Sequence, residues 1–149
     1  MHYLDHAATT PVSPEVAAAM VDVLTKQYAN PSAQYSTGRA AAALVEESRE
    51  TIAKALGCKS SRLFFTSGGT ESDNWAIRMA LHQNRRVGKH IITTAVEHNA
   101  VMELMKALEQ EGYEVTYLKP DRAGTITAKQ VADALREDTV LVSMMLVNN

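Results

Sequence analysis

The sequence predicts an α/β domain with a largely parallel sheet flanked by helices. Two patterns carry that expectation. Short apolar or β-branched runs at residues 63–65, 90–96, 113–118 and 139–147 alternate with segments of helical period. The last run, Val140-Leu141-Val142-Ser143-Met144-Met145-Leu146-Val147, is almost continuously apolar, as expected for a strand in the middle of a parallel sheet. Three polar clusters fall at predicted strand ends: Gly68-Gly69-Thr70, Glu97-His98 and Asn148-Asn149. Ligands of such sheets bind beyond the carboxyl ends of the strands, so the shared location marks all three as candidate site residues.

The elements follow in order. Residues 3–11 read as an extended lead-in. Ser13-Pro14-Glu15 is a helix start: a capping hydroxyl, proline at the first helical position and an acid in the first turn. Val16, Met20, Val23 and Leu24 give this helix an expected buried stripe, ending near Tyr28. Residues 30–38 are a polar loop. A long helix over 37–56 places Ala41, Leu44, Val45, Ser48, Ile52 and Ala55 on one face, and Gly57 stops it. Cys58 lies just past that negative helix end, which disfavours a thiolate. Leu63-Phe64-Phe65 reads as a short buried strand.

Next comes the turn Ser67-Gly68-Gly69-Thr70, leading into a helix with Trp75, Ala76, Met79 and Ala80 expected inward. A strand, a tight glycine turn and a helix start make an anion site. The first helical N–H groups have no partner within the helix, and the dipole is positive there. Glycine permits unusual dihedrals and close approach, and Thr70 adds a hydroxyl. A phosphate fits this pattern, while an ordinary βα turn remains the alternative on the turn alone. The Gly-x4-Gly-Lys-Ser/Thr and Gly-x-Gly-x-x-Gly spacings of nucleotide sites are absent. Beyond it lie the strand at 90–96, Glu97-His98-Asn99, and a helix with Val101, Leu104, Met105 and Leu108 inward. The strand at 113–118 follows. Thr127-x-x-Gln130 is a capping box for a helix through Arg136 that buries Val131, Ala134 and Leu135.

Composition narrows the function classes. The chain has 149 residues, 46% hydrophobic and 21% charged, which suits one folded domain rather than disorder. A net charge of −2 gives no basic footprint for nucleic acid. The single cysteine excludes an internal disulfide and suits a reducing, cytoplasmic setting. No secretion signal opens the sequence, and no apolar run approaches membrane-spanning length, so no membrane partner is expected.

The motifs taken together point further. Tyr3-Leu4-Asp5-His6-Ala7-Ala8-Thr9-Thr10-Pro11, Asn30-Pro31-Ser32, Gly38-Arg39 and Phe65-Thr66-Ser67-Gly68-Gly69-Thr70-Glu71-Ser72 are followed by Gly88-Lys89-His90-Ile91-Ile92-Thr93, Glu97-His98-Asn99-Ala100-Val101 and Val142-Ser143-Met144-Met145-Leu146-Val147-Asn148-Asn149. In order and spacing the whole chain resembles the pyridoxal-phosphate-dependent cysteine desulfurases of iron–sulfur cluster assembly. That resemblance implies the N-terminal part of the large domain of a fold-type I enzyme. Residues 1–57 would form the lead-in and helices, and 58–149 the first part of the cofactor domain.

The resemblance also implies roles. Gly69 and Thr70 match the groups that hold the phosphate of pyridoxal 5'-phosphate. His98 matches the imidazole that stacks on the pyridine ring and helps move protons. Asn149 matches the amide that bonds the cofactor's 3-oxygen. Family members take L-cysteine, release L-alanine and leave a persulfide on a mobile cysteine, from which a sulfur-acceptor or scaffold protein is loaded; a homodimer is expected. His6 and Tyr35 stand where the family usually carries Asn and His. The family's Schiff-base lysine, its pyridine-nitrogen aspartate and its persulfide cysteine match no residue here, so these 149 residues alone are expected to be inactive. Another fold-type I enzyme (a selenocysteine lyase or a kynureninase-like protein), a non-catalytic fragment and a nucleotide-binding α/β domain are the alternatives.

Overall fold

The computed structural model describes residues 2–148. The chain forms two compact units, Met1–Phe65 and Thr66–Asn149.

The first unit holds α1 (Pro14–Lys26), α2 (Ser36–Ala55) and a 3₁₀ turn (Ser60–Arg62). Ser13 caps α1 as its sequence implies, its Oγ accepting from the Val16 N–H at 3.3 Å, with Pro14 at the first position. The loop between the helices closes tightly onto α2. Asn30 Oδ1 accepts from the Ser32 N–H at 2.9 Å, and Ala33 packs so close to Gly38 that an added Cβ would lie 2.3 Å from the Ala33 oxygen. Only glycine fits at 38.

Two expectations fail in this unit. The α1 stripe of Val16, Met20, Val23 and Leu24 is exposed, and α2 buries small residues, Gly38, Ala41 and Ala53, while Val45 and Ile52 face solvent. Periodicity identifies an apolar stripe but does not supply the opposing layer that buries it. Residues 63–65 are extended but form no strand, and Phe64 is 64% exposed. The Arg49 side chain engages this run instead. Its Nη1 donates to the Leu63 carbonyl at 2.6 Å and its guanidinium lies 4.8 Å from the Phe65 ring centre.

The second unit holds α3 (Gly69–Asn84), β1 (His90–Thr94), α4 (Asn99–Gln110), β2 (Glu114–Leu118), α5 (Ala128–Ala134) and β3 (Thr139–Val142). The strands form one parallel sheet in the order β2-β1-β3, as the alternation of elements requires. All five residues of β1 are buried. Ile91, with Val140 from β3, packs against Ile77 and Leu81 of α3 and Val101, Leu104, Met105 and Leu108 of α4. The α4 face is thus the one its spacing predicts. Thr127 and Gln130 form the expected capping box on α5.

The other departures share a cause. α3 buries Ile77 and Leu81, whereas Trp75 and Met79 are exposed. Both sets have helical spacing, and packing against α4 selects one. α5 ends at Ala134 and leaves Leu135 exposed. β3 is an edge strand of four residues, shorter than the run over 139–147, with one extra residue, Val140, bulged between pairs His90↔Thr139 and Ile91↔Leu141. The last backbone bond on this side runs from the Ser143 N–H to the Ile92 carbonyl, whereas on the β2 side the ladder continues to the Ala95 N–H, which donates to the Leu118 carbonyl at 2.8 Å.

His90 pins the opposite end of the sheet. Its ring is fully buried between the neighbouring strands, Nδ1 paired with Thr139 Oγ1 at 2.7 Å and Nε2 with Thr116 Oγ1 at 2.8 Å. Burial, helped by the Arg136 charge, pushes its pKa below the ordinary value. The unfolded chain, with an ordinary imidazole near pKa 6.5, therefore binds more protons than the folded one as pH falls below that value. Stability from this group is highest above about pH 6.5 and is lost as pH drops toward the depressed folded pKa. In urea unfolding between about pH 7.5 and 5, we expect a decline of at most about 1.4 kcal/mol per pH unit from this one proton. The slope should flatten in His90→Gln; an unchanged slope would assign the pH dependence elsewhere.

Candidate functional site

The glycine turn enters α3 as the sequence predicts. The first intrahelical bond runs from the Ser72 N–H to the Gly68 carbonyl at 3.2 Å, so the N–H groups of Gly69, Thr70 and Glu71 precede it. No side chain caps this end at Gly68. Instead Glu71 reaches backward, its Oε2 accepting from the Ser67 N–H at 2.7 Å and the Ser67 hydroxyl at 2.8 Å. These bonds hold the Glu71 carboxyl below its usual pKa and keep its charge occupied with the turn. Thr66 Oγ1 and Ser72 Oγ, 2.7 Å apart, brace the same turn.

Gly68 and Gly69 invite a specific question. Gly68 has φ 162° and ψ −179°, an extended backbone open to any residue, and neither glycine has positive-φ strain to relieve. A Cβ at either position would meet nothing within 4 Å. The expectation of unusual dihedrals is therefore not met. What the glycines leave is open space in front of a positive helix end, and the exposed Thr70 hydroxyl stands at its side.

The second cluster sits at the end of β1. His98 is the N-cap of α4, with φ −62° and ψ 148°, and its Nδ1 accepts from the Ala100 N–H at 3.1 Å. An accepting Nδ1 places the proton of the neutral ring on Nε2. Asn74 draws the two helix starts together. Its Nδ2 donates to the Thr70 carbonyl at 2.8 Å and to the Ala100 carbonyl at 3.3 Å. Thr70, Asn74, His98, Asn99 and Glu103 consequently line one groove of about 480 Å³. Among the described residues, no lysine lines it. Three of the expected site residues, Gly69, Thr70 and His98, thus lie at two neighbouring helix starts. Asn149 lies outside the described residues. Asn148, just before it, donates from Nδ2 to the Val96 carbonyl.

Asn74 is a part of the site region to which the sequence assigns no role; Glu97 and Asn148 are marked there only by their place at strand ends, and the structure supplies their bonding partners. Asn74 carried a weak signal: asparagine is a poor interior helix former, and it stands four residues after Thr70, on the same helix face.

The family model for aminotransferase class-V matches residues 2–149. The chain belongs to the class-V aminotransferase family. It is 45% identical over 147 residues to the cysteine desulfurase IscS of Methanosarcina thermophila, covering 99% of this chain and 36% of that protein. A solved NifS-like protein superposes with a TM-score of 0.90 at 38% identity, covering 97% of this chain and 40% of the other. The structure described as SspA in complex with cysteine gives 0.89 at 38% identity, covering 99% and 43%. The chain therefore spans little more than a third of the length of such relatives. Members of the family are pyridoxal-phosphate-dependent. The open, positively polarised start of α3 fits the phosphate end of that cofactor.

His98 has a capping function separable from its ring. Replacing it with alanine removes the acceptor for the Ala100 N–H and should cost about 1 kcal/mol of stability. His98→Asn, whose Oδ1 can take the same bond, should stay within a few tenths of a kcal/mol of the parent in urea unfolding. Equal losses in both variants would show that the cap contributes nothing.

Proposed function

We propose that these residues form the phosphate- and ring-binding part of a cysteine desulfurase that uses pyridoxal 5'-phosphate. The carrying observation is the groove that holds Thr70 and His98 together at two adjacent helix starts. In this reading the N–H groups of Gly69 and Thr70 and the Thr70 hydroxyl bind the cofactor phosphate, a dianion suited to a helix N-terminus. His98 presents a flat ring to the pyridine face and can hold or release a proton at Nε2, because Nδ1 is committed to Ala100. Asn149 bonds the 3-oxygen. Bound pyridoxal phosphate supplies an electron sink that loosens bonds next to the amino acid's α-carbon.

The substrate proposed is L-cysteine, by likeness to the relative whose structure is described in complex with it. The overall change moves the substrate sulfur to an enzyme thiolate, leaving L-alanine and a persulfide for an acceptor or scaffold protein of iron–sulfur assembly or thiolation. The lysine that anchors the cofactor and the thiolate that accepts sulfur would come from outside these residues, in a homodimeric, cytoplasmic enzyme. Covalent chemistry needs all these groups in one site, so the 149 residues alone should yield no sulfide from cysteine.

In the complete protein, with an excess thiol reductant to reduce the persulfide, sulfide and alanine should form in equal amounts from L-cysteine. Thr70→Ala removes a charge-assisted hydrogen bond and should weaken pyridoxal 5'-phosphate binding roughly tenfold or more in a fluorescence titration. Unchanged affinity in that variant would refute the phosphate assignment.

A further inference from the structure

Backbone pairing between β1 and β3 ends with the bond from the Ser143 N–H to the Ile92 carbonyl, 2.9 Å long. The two chains nevertheless stay together for several more residues, and side chains hold them. Glu97 Oε1 accepts from the Met145 N–H at 2.9 Å and from the Thr94 hydroxyl at 2.7 Å. Asn148 Nδ2 donates to the Val96 carbonyl, extending the same seam. Thr94 is buried; its hydroxyl proton goes to this carboxylate, while its oxygen accepts from the Val96 N–H at 3.4 Å. Glu97 is half-buried and directly precedes His98.

We infer that Glu97 is a positioning residue: a latch that fixes the His98 loop against the segment that follows β3 and carries Met145 and Asn148. One carboxylate oxygen replaces the missing ladder bond on the β3 side and orients the last residue of β1 on the other. The ring-facing imidazole would otherwise sit on a loop free to separate from the segment that follows β3 once the ladder stops. The phosphate cradle at Gly69 and Thr70 has its own supports, Ser67 with Glu71 and Thr66 with Ser72, and does not depend on the latch.

This inference rests on the cofactor reading above, and the test separates the two. Glu97→Asp keeps the charge but withdraws the oxygen by one methylene; Glu97→Gln keeps an accepting oxygen at full reach. In the complete protein, hydrogen exchange of the Met145 amide should quicken at least tenfold in Glu97→Asp. The Ser143 amide, held by the backbone, should be unchanged. Affinity for pyridoxal 5'-phosphate should fall roughly tenfold, while affinity for inorganic phosphate, which needs only the cradle, should hold. Glu97→Gln should restore the parent values of all four. An unaltered Met145 amide in Glu97→Asp overturns the latch, as does a parallel loss of phosphate and cofactor affinity or failure of the Gln variant to recover. Exchange that behaves as expected with no cofactor binding in the parent protein would instead overturn the cofactor reading and leave the latch as a purely structural device.

Discussion

The geometry of the second unit depends on β1 being paired along both edges and sealed from water. Its five residues pair with β2 on one side and His90, Ile91 and Ile92 pair with β3 on the other, and its Ile91 meets the inner faces of α3 and α4. Apolar burial of Ile91, Ile92, Met105 and Leu108, all at most 1% exposed, drives that assembly. It fixes where β1 ends and α4 begins, and so where His98 stands. It also sets α3 beside α4, so that Asn74 can reach both the Thr70 and Ala100 carbonyls. The two helix starts that face the groove follow from one hydrophobic contact surface.

The site uses two helix N-termini in different ways. At α3 no side chain caps Gly68, and Glu71 turns back onto Ser67, so the leading N–H groups remain directed at open space. At α4 His98 fills the cap itself and commits Nδ1 to the backbone. An anion is accommodated at the first and a flat ring beside the second. Sheet ends provide such polar positions because backbone pairing stops there, and side chains such as Glu97 and Asn148 take over the bonding.

Much of this was legible in the sequence, and the failures have a common physical origin. Local signals were read correctly: Ser13 and Thr127 as caps, the α4 face, and the entry to α3 at the glycine turn. These depend on neighbours a few residues away. What went wrong depends on distant layers. Trp75 and Met79 have the same period as Ile77 and Leu81, yet only the second pair meets α4. The Val16–Leu24 stripe is apolar yet exposed, and residues 63–65 are β-prone yet form no strand. The run 139–147 has the apolar character of a central strand, but β3 stops at Val142. Spacing shows that a surface is apolar; it does not show what covers it. Asn74 and the bonding partners of Glu97 are not legible in the sequence, because each joins segments that sequence distance keeps apart.

The central claim is that the start of α3 is a phosphate site serving a ring held beside His98. The most direct measurement compares the affinity of the complete protein for pyridoxal 5'-phosphate with that for pyridoxal, which lacks the phosphate. The account predicts that pyridoxal binds at least tenfold more weakly, since the charge-assisted bonds at Gly69 and Thr70 are lost. Equal affinity for the two would contradict it, because the open helix start would then contribute nothing to holding the cofactor.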